Sequence, residues 1–212
     1  MTAQRISVAR FPRSISSLAN PKKIIRNIKG RYGARTSDES HVFVVGAPRS
    51  GTTLMFTILA AHPSFSSIDC ETFFFVPRDI FNKSSYERLT VSGTLTIQKK
   101  EELVETSADI VALYDSIADT VVKHDGGKRF LEKTPFHILY IDFLTQHFPN
   151  AKFVNMIRDG RDCYASNKRL ADYYHKPLEK FSSIWKDSIR KRQKIGESNQ
   201  IIDVRIEELT HY

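Results

Sequence analysis

Two cysteines, one tryptophan and no long apolar run set the first limits on this 212-residue chain. Cys70 and Cys163 are too few for a disulfide framework, so free, structural thiols are expected. No Cys/His spacing suits zinc, and no metal is expected. No segment is apolar over the roughly 20 residues needed to cross a bilayer. No secretory signal follows the first basic residues. Acidic residues are missing from one region only: residues 1–37 hold nine basic residues and no acidic one. The remaining 23 basic residues face all 24 acidic ones, so the net charge of +8 belongs to an arm rather than to the body. A neutral body without interleaved aromatic and basic residues argues against nucleic-acid binding. The arm, residues 1–40, is expected to be partly disordered, with short helical potential around Pro21–Lys29. Its Arg- and Ser-rich composition leaves a membrane-surface contact or an organelle-targeting role open beside the expected cytoplasmic location.

What is present reads as alternating strands and helices. His41–Val45 is short, β-branched and ended by Gly46, as a buried strand should be. Thr52–Ala61 predicts a helix stopped by His62-Pro63, and Phe65–Ile68 a second strand. Residues 73–100 carry no assignable pattern. Glu101–Lys123 predicts one helix, its apolar residues recurring at three- and four-residue steps up to Gly126-Gly127. Arg129–Glu132 is a short strand, and Thr134 with Pro135 predicts a helix cap and first turn. Lys152–Ile157 is a strand, Asp159–Asp162 turns into a helix running to about Leu170, Leu178–Ile195 is helical, and Ile201–Arg205 is a last strand. This alternation predicts an α/β fold: a P-loop-like parallel sheet of about five strands with helices on both faces. Ligands of such sheets sit at the carboxyl ends of the strands. Residues 46–53, 69–72 and 158–166 each follow a predicted strand.

Gly46-Ala-Pro48-Arg49-Ser50-Gly51-Thr52-Thr53 has the glycine spacing of a phosphate loop, whose N–H groups and following helix start cradle an anion. The position that should be lysine is Thr52, so triphosphate chemistry loses its main charge clamp. Arg49 places a cation elsewhere, which suits a single 5′-phosphate bearing a further group. An ordinary strand–helix turn would carry the same glycines. In the second segment Arg158 ends a strand and Ser166 lies eight residues on, in the next helix. A helix starting near Asp162 would bring that hydroxyl back toward the guanidinium, to grip a phosphate from two sides. The bland alternative for Arg158 is a surface salt bridge to Asp159 or Asp162.

Val45–Met55 resembles the 5′-phosphosulfate loop of sulfotransferases, most of all the tyrosylprotein sulfotransferases and their bacterial relatives. Phe148–Ser166 resembles the same family's 3′-phosphate motif. The resemblance covers roughly residues 41–210. It implies a donor, 3′-phosphoadenosine 5′-phosphosulfate (PAPS), held by Gly46, Pro48, Arg49, Ser50, Gly51, Thr52 and Thr53 at one end and by Arg158 and Ser166 at the other. It also implies transfer of a sulfuryl group to an acceptor hydroxyl of protein tyrosine, a glycan or a small alcohol.

A general base must take the acceptor's proton, and cations must hold the leaving oxygen. Glu71, just past the second strand, should face the loop's cleft; His62-Pro63, Glu71-Thr72 and Val76-Pro77-Arg78 resemble the tyrosylprotein enzymes, in which the Glu before Thr is the base. There is one extra residue before Glu71 here, and Phe73 stands where that family has Arg. Glu132-Lys133-Thr134-Pro135 resembles the family's Lys-Thr-Pro turn, implying that Lys133 stabilises the leaving group, with Arg49 beside it. His62, at a helix end, is the weaker base, and His137 is expected to be structural. The family's pattern runs on past Val204–Leu209, and Ile206 stands where Tyr is common; residues 41–212 are therefore expected to form a sulfotransferase domain lacking a C-terminal segment. The alternatives are a truncated, non-catalytic relic that still binds the nucleotide, or a nucleotide kinase-like protein. A homodimer stays open.

Overall fold

The computed structural model describes residues 21–76, 81–90, 95–170 and 175–209. The first half of the basic arm, Pro77-Arg78 and Gly93 lie outside the described residues. Five parallel strands form one sheet: β1 Val42–Gly46, β2 Phe65–Ser67, β3 Arg129–Lys133, β4 Lys152–Ile157 and β5 Ile201–Arg205, in the spatial order β2-β3-β1-β4-β5. β1 is flanked by β3 and β4, with Val44 beside Lys133 and Gly46 beside Met156. Adjacent strands lie about 4.8 Å apart. The carboxyl ends of β3, β1 and β4 therefore deliver their following residues side by side.

Alternation along the strands splits the core into two layers. Phe43, Val45, Phe130 and Phe153 point to the larger one, with Tyr114, Ile117 and Val121 of α4 Ile110–Asp125 and with Ile141 and Leu144 of α5 Ile141–His147. Phe43 stacks on Phe153 at 5.1 Å and on Tyr114 at 5.4 Å. Val42, Val44, Leu131 and Met156 point the other way, against Met55 and Phe56 of α2 Thr52–Ala60. Helices thus cover both faces, as the alternating pattern predicts.

The basic arm's second half is helical, α1 Pro21–Tyr32. Arg31 Nη1 donates to the carbonyl of Phe75 at 3.0 Å. Just after α1, the buried carboxylate of Asp115 gathers Arg35 Nη2 (2.9 Å), Ser37 Oγ (2.9 Å) and His41 Nε2 (3.0 Å). That cluster binds the entry to β1 onto α4.

Two expectations are corrected. Glu101–Lys123 is two helices, α3 Ile97–Thr106 and α4, because Asp109 caps the second by accepting from the N–H groups of Val111 (2.9 Å) and Ala112 (2.8 Å). A capping carboxylate there outweighs a periodicity that runs on unbroken. Thr134 does not cap the turn it precedes. Its hydroxyl turns to Glu132, and Pro135–Tyr140 forms a 3-10 turn before α5.

Candidate active site

The loop between β1 and α2 depends on its two glycines. Gly46 has φ 148°, and a Cβ there would stand 2.6 Å from the Met156 carbonyl of the neighbouring strand. Gly51 has φ 95° and opens α2, with Ile206 packed against its Cα. Both conformations favour glycine. Between them Arg49 has φ 70°, a left-handed conformation uncommon for a side-chain-bearing residue. Pro48 is half-buried beside it. Ser50 is fully buried, and its Oγ has no hydrogen-bond partner among the described residues. Thr52 is buried and Thr53 exposed on the first turn of α2, in the place where a P-loop lysine and hydroxyl would stand.

The two predicted anion arms meet. Arg49 Nε donates to Ser166 Oγ at 3.1 Å, across 117 residues of chain. Arg158, directly after β4, donates from Nη1 to the Arg49 carbonyl at 3.3 Å. Among the described residues no salt bridge joins Arg158 to Asp159 or Asp162; Asp159 pairs instead with Arg161 at 2.6 Å. Hydrogen bonds from the side chain and backbone of Arg161 hold the Asp159 carboxyl down to about 2. Asp159 also caps α6 Gly160–Lys168, which therefore begins two residues before the expected Asp162. Ser166 sits on its second turn, facing the loop. Asn167 fixes the far end by bonding the backbone of Lys176 through both its Nδ2 (2.8 Å) and its Oδ1 (3.3 Å).

At the β3 end, Lys133 Nζ meets Glu71 Oε1 at 3.1 Å, the ammonium nearly buried and the carboxylate partly exposed. Two cations near this pair carried no readable signal. Arg88 comes from the unpatterned region, in a 3-10 segment Lys83–Thr90. Its guanidinium lies 4.7 Å from the centre of the Phe73 ring, and its Nη1 is 3.5 Å from the Glu71 carbonyl. A cation thus reaches position 73 from elsewhere in the chain. Lys176 lies 5.9 Å from the Phe136 ring; burial, then Lys180, lowers its pKa, while Glu71 pulls the other way. Phe73 and Phe136 are 5.9 Å apart. His62 is exposed and accepts from the Ser64 N–H, closing a turn. His137 is buried against Glu132. Among the described residues no three His, Cys, Asp or Glu side chains are grouped as a metal would need. No described helix is long and apolar enough to cross a membrane. A cavity of about 680 Å³ opens beside the site at the ends of β4 and β5; of the predicted residues only Arg158 lines it, with Trp185, Arg205 and Glu207 among its other walls.

A parallel sheet whose central strand runs through a glycine-bounded loop into a helix defines the P-loop-like class of α/β proteins. Within that class the chain belongs to the sulfotransferase family, whose profile matches residues 41–211. It is 35% identical over 150 residues to protein-tyrosine sulfotransferase 1 of Mus musculus, covering 68% of this chain and 39% of that protein. Protein-tyrosine sulfotransferase 1 of Homo sapiens is 37% identical over 122 residues, 57% of this chain and 31% of the human one. The chain therefore spans well under half the length of these curated relatives. In fold it is similar to the sulfotransferase domain of the Synechococcus olefin synthase, with a TM-score of 0.58 at 20% identity over 83% of this chain and 69% of that one.

Proposed function

We propose that residues 41–212 form a transferase domain that binds PAPS and passes its sulfuryl group to a tyrosine hydroxyl, with Glu71 as general base. The observation that carries the reading is the meeting of two anion arms: Arg49 bonded to Ser166, and Arg158 bonded to the Arg49 backbone. One donor with phosphates on the 3′ and 5′ positions of a single ribose needs two such arms within reach of each other.

The loop fits the 5′ end of that donor. Its glycines allow the tight turn into α2, whose N-terminal N–H groups are available to an anion, and the buried Ser50 hydroxyl has no partner among the described residues. Gly46–Thr53 would hold the 5′-phosphate, and Arg158 with Ser166 the 3′-phosphate. When bound, PAPS supplies an activated sulfuryl group and a phosphate leaving group. Thr52 in place of lysine suits this better than a triphosphate.

Glu71 takes the acceptor's proton, and doing so changes its hold on Lys133. A neutral carboxyl binds an ammonium more weakly than a carboxylate does. Protonation of Glu71 therefore frees Lys133 to face negative charge developing nearby, with Arg49 as the second cation. In-line displacement sets the base beside the attacking oxygen and the cations beside the leaving one, so the 3.1 Å Glu71–Lys133 contact must part as donor and acceptor enter between them.

Tyrosine is favoured as acceptor by the relatives' names and by local chemistry. Phe73 and Phe136 form an aromatic pair beside Glu71, and Arg88 and Lys176 lie over their rings. Such a wall suits a phenol. Incubation with 35S-labelled PAPS and three probes, a tyrosine peptide, a monosaccharide and an aliphatic alcohol, tests this. Label is expected on the peptide. Donor binding without label on any probe would leave the nucleotide-binding relic, and magnesium-dependent ATP hydrolysis would point to kinase-like chemistry instead.

A further inference from the structure

We infer that Glu132 is a positioning residue, one buried carboxylate that clamps the Phe73–Phe75 backbone and so sets Glu71 against Lys133. The inference rests on the reading of Glu71 as base.

Glu132 is 1% exposed. Its Oε1 accepts from Thr72 Oγ1 at 2.7 Å and Thr134 Oγ1 at 2.6 Å, and its Oε2 faces His137 Nδ1 at 3.0 Å. Each of these three partners also receives one backbone N–H. Phe73 donates to Thr134 Oγ1 at 3.1 Å, Phe74 to Thr72 Oγ1 at 3.2 Å, and Phe75 to His137 Nε2 at 3.4 Å. Three successive amides thus reach a single carboxylate through three different side chains. With Nε2 of His137 accepting, Nδ1 carries the hydrogen that goes to Glu132.

The segment has need of such a clamp. β2 ends at Ser67, so residues 73–75 have no strand partners for their N–H groups. Phe73 has φ 52°, a conformation a phenylalanine keeps only where its surroundings impose it. Residues 71 and 73 are two positions apart, so the clamp's hold on the backbone carries over to the base.

The charge is what singles out Glu132. Burial pushes its carboxyl up, but the hydrogen bonds from His137, Thr134 and Thr72 outweigh burial and hold it below its ordinary value. An apolar residue could fill the space without that opposition, so a buried carboxylate here points to geometry rather than bulk stability. Successive strand residues point to opposite sides. The end of β3 therefore sends Glu132 into the scaffold and Lys133 into the site, and one strand sets both members of the Glu71–Lys133 pair.

The test uses Glu132→Gln, which keeps the shape but turns an NH2 toward groups that donate, and Thr134→Val, which removes one relay without changing volume. Both should speed amide exchange at residues 73–75 while leaving the β1 and β4 amides protected. Both should lower kcat on a tyrosine peptide by about tenfold or more, with KM for PAPS and affinity for 3′-phosphoadenosine 5′-phosphate (PAP) unchanged. Thr134→Ser should restore exchange and turnover together. In a Glu71→Gln background, Glu132→Gln should cost almost nothing further, because it acts through the missing base. Unchanged exchange at 73–75, losses that multiply in the double variant, or a parallel fall in PAP affinity would overturn the inference. Normal turnover in Glu71→Gln alone would remove the base reading, while the exchange measurement still decides whether the clamp exists.

Discussion

At the ends of β1 and β4 the candidate site is built from short consecutive motifs; at the end of β3 it is assembled from residues about sixty positions apart. Gly46–Thr53 takes its shape from its own backbone, through two positive-φ glycines and a helix start. The Glu71–Lys133 pair spans 62 positions, and the Thr72 and Phe73 links to β3 and its following turn span 60 and 61. The first kind is shaped mainly by its own backbone, with Met156 and Ile206 packed against its glycines. The second can be detuned from within the core, without any change to the residues that would touch substrate.

Substitution of the proposed base is the widest wedge between the two halves. Glu71→Gln should lower kcat by about 10²- to 10⁴-fold and leave PAP affinity intact. Steady-state kinetics beside calorimetry will show it, and a matching loss of affinity would merge the halves into one. Gly46→Ala attacks the other half: the added Cβ meets the Met156 carbonyl at 2.6 Å with φ at 148°, so unfolding by denaturant should register a loss of about 1–3 kcal/mol. A change within the usual scatter for surface substitutions would mean the loop relaxes freely.

A smaller effect comes from pH. The folded protein holds the Glu132 carboxyl below its ordinary 4.5. Unfolding in acid therefore takes up a proton, so the stabilisation from this group is present above about pH 4.5 and fades as pH falls through the lower folded value. Stability of Glu132→Gln, followed by thermal unfolding between pH 3 and 6 (roughly the carboxylate range), should fall less steeply than that of the wild type; parallel curves would contradict the clamp's ionised state. Smallest of all should be the response to alkylation. Burial pushes the Cys163 thiol up to about 12 and Cys70 up to about 11, so both should resist iodoacetamide at neutral pH until the protein is unfolded.

The same contrast explains what could be read in advance. Lys152–Ile157, Leu178–Ile195 and Ile201–Arg205 stand at the expected limits because apolar runs and their flanking breakers act locally. The expected nearness of Arg49, Arg158 and Ser166 follows from their places at the ends of adjacent strands. Glu71 and Lys133 are marked by their places just past strands and by resemblance, but their contact does not follow from spacing. Thr134 shows why: its sequence context suits a cap, but the carboxylate of Glu132, folded beneath it, competes for the same hydroxyl. Arg88 gave no signal, since a lone arginine in an aperiodic stretch looks like any solvated side chain. Its place over Phe73 is a product of tertiary structure alone.

The central claim is that two arms grip one nucleotide, and titration calorimetry with PAP addresses it most directly. Wild-type protein should bind, and Arg49→Ala and Arg158→Ala should each weaken binding by about 10- to 100-fold, as expected for losing a charge-assisted phosphate contact. Equal affinity in the wild type and both variants, or no binding by the wild type, would contradict it.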